Sequence, residues 1–127
     1  IATPSYSREE EATAKLIEQF FQQKQIPVHR FLNNIWTTNR YFDPVKPTLL
    51  LNSHHDTVKP NPAYTIDPFD PIEKEGKLFG LGSNDAGGAL VSLLAVFLYY
   101  YEQKELPYNI LFAATAEEEV SGKNGIE

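Results

Sequence analysis

The sequence predicts an α/β fold built on a layered sheet. Residues 48–53 and 108–115 are two short apolar strands, and between them residues 87 to about 103 form an apolar run of helical length. A strand, a crossover helix and a second strand make a βαβ unit, whose two strands lie parallel in one sheet. Both strands stop at polar clusters, His54-His55-Asp56 and Glu117-Glu118-Glu119. Ligands gather at the carboxyl ends of strands in such sheets. The two clusters, and the crossover loop that carries Asp85, are therefore expected on one edge.

Each element has a local cause. Ser7-Arg8-Glu9-Glu10 has the spacing of a capping box, in which serine and glutamate satisfy free helix amides reciprocally. Ala12, Leu16, Ile17, Phe20 and Phe21 follow at helical spacing, which predicts a helix from residue 8 to about residue 24. Residues 28–32 and 35–38 are β-prone and flank Asn33-Asn34, a turn signal that predicts a hairpin. The strand at 48–53 holds an unbroken apolar run of three, as expected where both sheet faces are covered. Residues 59–71 contain Pro60, Pro62, Pro68 and Pro71 and are predicted to be a loop. Ile72-Glu73 and Lys77-Leu78-Phe79 can pair across Lys74-Glu75-Gly76 as a second small hairpin, and residues 80–85 form another loop. The crossover helix is apolar nearly all round, which predicts burial on most sides.

At 127 residues the chain suffices for one domain, burying roughly 60 to 70% of its unfolded surface. Eleven basic residues against seventeen acidic ones give a net charge of −6. That balance argues against nucleic acid or an anionic membrane as partner and suits cation binding. The absence of cysteine removes disulfides, thiolate metal sites and a cysteine nucleophile, and favours an intracellular, cytoplasmic home. The apolar run at residues 89–101 is too short to span a bilayer. The chain begins at Ile1 and contains no methionine, which reads as a piece of a longer protein.

Side chains in an extended segment alternate, so His54 and Asp56 share one side and His55 faces the other. A carboxylate beside an imidazole can orient it or share a metal with it. Asp85 lies among Gly82, Gly87 and Gly88, where the backbone can turn tightly. Imidazole and carboxylates without thiolate suit catalytic zinc, manganese or cobalt. Of the adjacent Glu118 and Glu119, one can bind metal while the other moves protons between an activated water and a leaving amine. Singly, each feature has an ordinary reading. An acidic triplet is usually a solvated helix start, and aspartate in a glycine-rich loop is usually a turn former. Their joint placement at matching ends of successive strands favours a metal site.

Three stretches, "LLLNSHHDTV", "DPFDPIEKEGKLFGLGSNDAGG" and "LFAATAEEEVSGKNG", resemble in order and spacing the M20 metallopeptidases and deacylases. The resemblance runs from about residue 5 to the last. It implies a zinc-exopeptidase-like, three-layer α/β/α sandwich with a mostly parallel central sheet, incomplete in this chain. It also implies two zinc ions (cobalt or manganese as alternatives) about 3.5 to 4 Å apart. On this resemblance His54 is a ligand of one metal, Glu119 a ligand of the other, and Asp85 the bridging carboxylate, usually followed by a cis peptide. Glu118 is similar to the general base and Asp56 to the carboxylate that steers His54; these two are the implied catalytic residues. Glu117 stands where the family usually has aspartate. The family's common Gly-Arg-Gly is Gly80-Leu81-Gly82 here, and the methionine and lysine that usually follow the bridging aspartate are Ala86 and Gly87. Those departures bear on loop packing rather than metal chemistry. With "DPF" and "GKLFGLG" they resemble the acetylornithine deacetylase branch. The implied substrate is a small N-acyl amino acid, N-acetylornithine or N-succinylornithine, in arginine biosynthesis. Carboxypeptidase or dipeptidase action is the alternative within the family.

The family supplies each metal with a further ligand well beyond the Glu-Glu pair and inserts a smaller lid domain used for dimerisation. Residues 1–127 are thus expected to be the N-terminal portion of the catalytic, metal-binding domain. The lid and the remaining ligands would lie outside this chain, which alone would be inactive. A homodimer is expected, and pairing of the fragment through an exposed sheet edge; a monodisperse monomer in light scattering would refute that pairing. The rival reading is a non-catalytic remnant that binds a partner through its sheet. Retention of His54, Asp85, Glu118 and Glu119 together speaks against it.

Overall fold

The computed structural model describes residues 1–125. In chain order the elements are α1 (Glu11–Gln23), β1 (His29–Phe31), β2 (Asn34–Thr38), β3 (Thr48–His54), β4 (Ile72–Lys74), β5 (Lys77–Phe79), α2 (Ala89–Tyr100) and β6 (Asn109–Thr115). The main sheet has the order β1-β2-β6-β3. β3 and β6 pair in parallel from Thr48 opposite Asn109 to His54 opposite Thr115, as the crossover requires. β1–β2 and β2–β6 are antiparallel. The sheet is therefore mixed rather than mostly parallel among the described residues. The cause is the β1–β2 hairpin, which adds two strands by tight connection where a parallel neighbour would need another crossover.

The core is a cluster of three rings from three elements. Phe21 of α1, Phe97 of α2 and Phe112 of β6 lie with centroids 5.7 to 6.1 Å apart, in the offset and edge-to-face geometries that rings prefer. Because Phe112 projects from one face only, both helices pack on that face, together with Ile35, Ile110 and Ala114. The described residues thus build two layers of the expected three. The crossover helix is correspondingly less enclosed than its composition predicts: Phe97 is fully buried, whereas Val91, Val96 and Tyr99 are exposed. Leu49 and Leu50 on β3, at the sheet edge, are each 47% exposed, so the apolar run there is not covered on both sides.

Two local expectations are displaced by tertiary contacts. α1 begins at Glu11, without a side-chain cap. Ser7 donates its hydroxyl to Asp56 instead (2.7 Å), and the Glu10 carboxylate accepts the Arg8 amide and, from far along the chain, the Glu117 amide and the Asn33 side chain. The first hairpin turns at Leu32-Asn33 rather than Asn33-Asn34, with Leu32 at a φ of 54° and Asn34 already paired with Phe31. The second hairpin forms where predicted, with Lys74 in the strand opposite Lys77 rather than in the turn. Its turn, Glu75-Gly76, has φ of 54° and 71°, the doubly left-handed geometry that matches strand twist. Among the described residues no helix is long and apolar enough to cross a membrane.

Candidate metal centre

The parallel pairing of β3 with β6 brings His54 beside Thr115, two positions before the acidic triplet begins at Glu117. Glu117 takes a left-handed conformation (φ 58°), and Glu118–Val120 follows as a single tight helical turn. The chain thereby reverses at the strand end and carries Glu118 and Glu119 back over His54. Asp85 arrives from the other side on an irregular helical turn, Ser83–Gly88. That turn closes through Gly87 N–H donating to the Gly82 carbonyl at 2.8 Å. A side chain at residue 87 would collide with that carbonyl, which explains why this loop carries glycine there. The Asp85–Ala86 peptide is cis, as the resemblance implies.

The three side chains singled out as metal ligands come together. His54, Asp85 and Glu119 each offer an atom within 4.8 Å of the others. His54 Nε2 lies 3.1 Å from Asp85 Oδ1 and 3.6 Å from Glu118 Oε2. Its Nδ1 faces the carbonyl of Asp56 at 3.1 Å and the Asp56 carboxylate at 3.3 Å. Both of these can only accept, so Nδ1 carries a hydrogen, and Nε2 is the nitrogen turned towards the Asp85 and Glu118 carboxylates.

Asp56 is fully buried, and its reach is wider than the sequence suggests. Besides His54 and Ser7 it accepts the backbone N–H groups of Glu118 (3.1 Å) and Glu119 (3.2 Å). One carboxylate therefore orients the imidazole and anchors the turn that carries two of its neighbours. His55 faces the opposite side of the sheet, as alternation predicts. Its Nε2 donates to the Asn33 carbonyl and its Nδ1 meets the Thr13 hydroxyl, both at 2.9 Å. Burial holds its pKa below the ordinary histidine value, against the pull of the Asn33 carbonyl and of Glu10 and Asp56. A neutral ring, with both nitrogens engaged, is no metal ligand.

The electrostatics favour a cation. Burial acts to lower the His54 pKa, but the hydrogen bond to Asp85 and the charges of Asp56 and Glu118 outweigh it and raise the value. Burial raises the Glu119 carboxyl pKa, and repulsion from Asp85, Asp56 and Glu118 adds to that against the pull of His54. Four carboxylates crowd one imidazole, a repulsion that a divalent ion relieves. Imidazole nitrogen with carboxylate oxygens and no sulfur is a donor set that zinc, manganese and cobalt accept. The residues present fit such an ion.

Two cavities flank the centre. One of about 420 Å³ opens beside Asp85 and Glu119 and is walled by Val58, Tyr64, Leu81, Ser83 and Asn84. The other, about 440 Å³, lies between α1, α2 and the first residues, with His55, Leu16 and Leu90 in its wall. The second is the larger and the more apolar, yet it does not reach His54, Asp85 or Glu119. Chemistry at the cluster faces the first. Ser7, Glu10, Asn33 and Tyr64 were not singled out for the site from sequence. Ser7 and Glu10 carried only the serine-to-glutamate spacing of a helix cap, and Asn33 only a turn signal.

The family model for peptidase family M20/M25/M40 matches residues 50–127. Over 96 residues the chain is 33% identical to the succinyl-diaminopimelate desuccinylase of Xylella fastidiosa (strain 9a5c), a match covering 73% of this chain and 25% of that protein. The chain thus spans about a quarter of the length of the curated relatives it matches. Its fold is similar to that of an M20 family metallo-carboxypeptidase from Sulfolobus solfataricus, with a TM-score of 0.78 and 18% identity over 94% of this chain and 29% of the other. A dinuclear metal-binding peptidase of the M20 family from Bacillus subtilis gives a TM-score of 0.65 and 20% identity, over 98% of this chain and 33% of the other. At these identities the structural likeness is one of fold. The matched stretch contains Asp56, Asp85, Glu118 and Glu119 as well as His54, and the chain belongs to peptidase family M20/M25/M40.

Proposed function

We propose that this chain is the N-terminal portion of the catalytic domain of a metal-dependent amidohydrolase that removes the acyl group from a small N-acyl amino acid. The observation that carries the reading is the convergence of His54 Nε2 with the Asp85 and Glu119 carboxylates, with Glu118 3.6 Å from the same nitrogen. His54, Asp85 and Glu119 would hold the divalent metal, zinc, cobalt or manganese, with further ligands expected from outside these residues. A divalent ion, when bound, would polarise the scissile carbonyl as a Lewis acid and lower the pKa of water so that it can give up a proton to become the nucleophile. Asp56 fixes the imidazole through Nδ1. Glu118 accepts the proton of the attacking water and delivers it to the amine nitrogen as the C–N bond breaks, which regenerates the carboxylate.

The similarity to a desuccinylase supports an acyl-amino acid substrate. N-acetylornithine and N-succinylornithine, in arginine biosynthesis, are the specific candidates from the Gly80-Leu81-Gly82 stretch; N-succinyl-diaminopimelate is the third. The test uses the full-length protein loaded with zinc, cobalt or manganese, and measures acetate or succinate released from each compound. Glu118→Ala is expected to lower kcat by about 100- to 10,000-fold and to leave bound metal unchanged. Loss of metal and turnover together would reverse the roles of Glu118 and Glu119. A metal-loaded wild type that cleaves no acyl-amino acid or peptide would refute the enzyme reading in favour of a non-catalytic remnant.

A further inference from the structure

We infer that Glu10 is a positioning residue of the metal centre, aiming the turn at residues 117–119 from the start of α1. Its side chain is fully buried. Oε1 accepts the backbone N–H groups of Arg8 at 2.6 Å and of Glu117 at 3.2 Å, and Oε2 accepts Asn33 Nδ2 at 2.9 Å. A carboxylate taken so far from water is costly unless donors surround it. Its donors here include the residue that begins the reversal over His54.

The consequence appears when Glu10 is taken with Asp56. The three consecutive amides of Glu117, Glu118 and Glu119 are all held by buried carboxylates, the first by Glu10 and the next two by Asp56. Successive N–H groups in a left-handed and helical turn converge on one side and form an anion-binding concavity. In this chain the concavity is filled by its own acidic side chains, from two different elements. Asn33 ties the same carboxylate to the first hairpin, and its carbonyl accepts His55, which meets Thr13 of α1. The direction of Glu118 and Glu119 is therefore set from beneath by α1 and the hairpin as well as by β3. Without the Glu10 carboxylate the Glu117 amide is released and the turn is held at one end only. A shift of about 1 Å in a ligand or base is enough to cost on the order of 100-fold in function.

This inference rests on the proposed metal reading for its affinity readout but not for its backbone readout. In the full-length protein, Glu10→Ala and Glu10→Gln are compared with wild type. Thr37→Val serves as a control, since it removes another buried hydrogen bond, from the Thr37 hydroxyl to the Pro27 carbonyl (2.6 Å). Amide hydrogen exchange at residues 117–119 is measured without metal, and the zinc dissociation constant by competition with a chelating dye. Glu10→Ala is expected to exchange faster at Glu117 and to bind zinc about 10- to 100-fold more weakly. Glu10→Gln keeps an acceptor for the amides but turns a donor towards Asn33, and falls in between. Thr37→Val moves neither readout. A change below about threefold in both readouts for both Glu10 variants, or an equal loss in Thr37→Val, overturns the inference. If Glu10→Ala does not fold, Glu10→Gln decides by the same threshold. A wild type that binds no zinc counts against the metal reading and leaves the exchange data to decide on Glu10.

Discussion

Replacing Asp56 by asparagine should loosen the metal centre and the fold together. In full burial the native carboxylate receives three donors, the Ser7 hydroxyl at 2.7 Å and Glu119 N–H at 3.2 Å on Oδ2 and Glu118 N–H at 3.1 Å on Oδ1. His54 Nδ1 lies 3.3 Å from Oδ1 as a charge neighbour, its hydrogen bond going to the Asp56 carbonyl. Asparagine keeps the shape but turns one oxygen into an NH₂ group. Placed at Oδ1, that group opposes both Glu118 N–H and His54. Placed at Oδ2, it opposes Glu119 N–H only, because the Ser7 hydroxyl can rotate to accept. The second placement costs less and still leaves one buried amide without an acceptor, a penalty of about 1–3 kcal/mol. The surviving bonds lose their charge assistance, so the full-length protein should lose about 2–4 kcal/mol in urea unfolding without metal. Zinc should bind about 10- to 100-fold more weakly, because the negative charge beside His54 is lost and the released Glu119 amide loosens the turn that carries Glu119. A stability change under about 0.5 kcal/mol with unaltered zinc affinity would refute the central role assigned to Asp56. A stability loss with unaltered affinity would mean that it anchors the turn without steering the imidazole.

Two further outcomes follow from the same geometry. Zinc must displace the proton of His54, whose pKa is raised above 6.5; affinity should therefore fall as pH drops through that raised value, by about tenfold per unit below it. The onset should move to lower pH in Asp56→Asn, because the Asp56 charge helps hold the proton; calorimetric affinities that do not vary between about pH 5.5 and 8 would contradict this. Gly87→Ala should cost about 1–3 kcal/mol and weaken zinc binding, since the new methyl group collides with the Gly82 carbonyl that closes the Asp85 turn. Wild-type stability and affinity in that variant would show that the loop yields without moving Asp85.

The strands, the crossover and the edge where function gathers were legible because each follows from a local pattern. Period-2 and apolar runs mark β3 and β6, a long apolar stretch marks α2, and a βαβ unit leaves little choice about which strand ends lie together. The polar clusters holding His54, Asp85 and the Glu118-Glu119 pair were legible as strand ends and a crossover loop, whereas the choice of Glu119 over Glu118 as ligand came from the family resemblance. Alternation alone separated His54 from His55, and the structure keeps them on opposite sides of the sheet.

What the sequence could not decide was the choice of partner among groups far apart in the chain. Ser7 and Glu10 satisfy the local rule for a capping box, yet Ser7 pairs with Asp56, 49 positions on, and Glu10 shares its carboxylate between the nearby Arg8 amide and that of Glu117, 107 positions on. Those partners exist only once β3 and β6 have paired, and a buried carboxylate then outcompetes a helix end that water can solvate. The covering of α2 was undecided in the same way. Its composition calls for burial, but which side is covered depends on where Phe21 and Phe112 meet it. By itself the sequence determined the periodicity of each element and the chemistry at its ends, because backbone geometry acts locally. The tertiary structure decided which buried donors found which acceptors, because that competition begins only when folding brings them together.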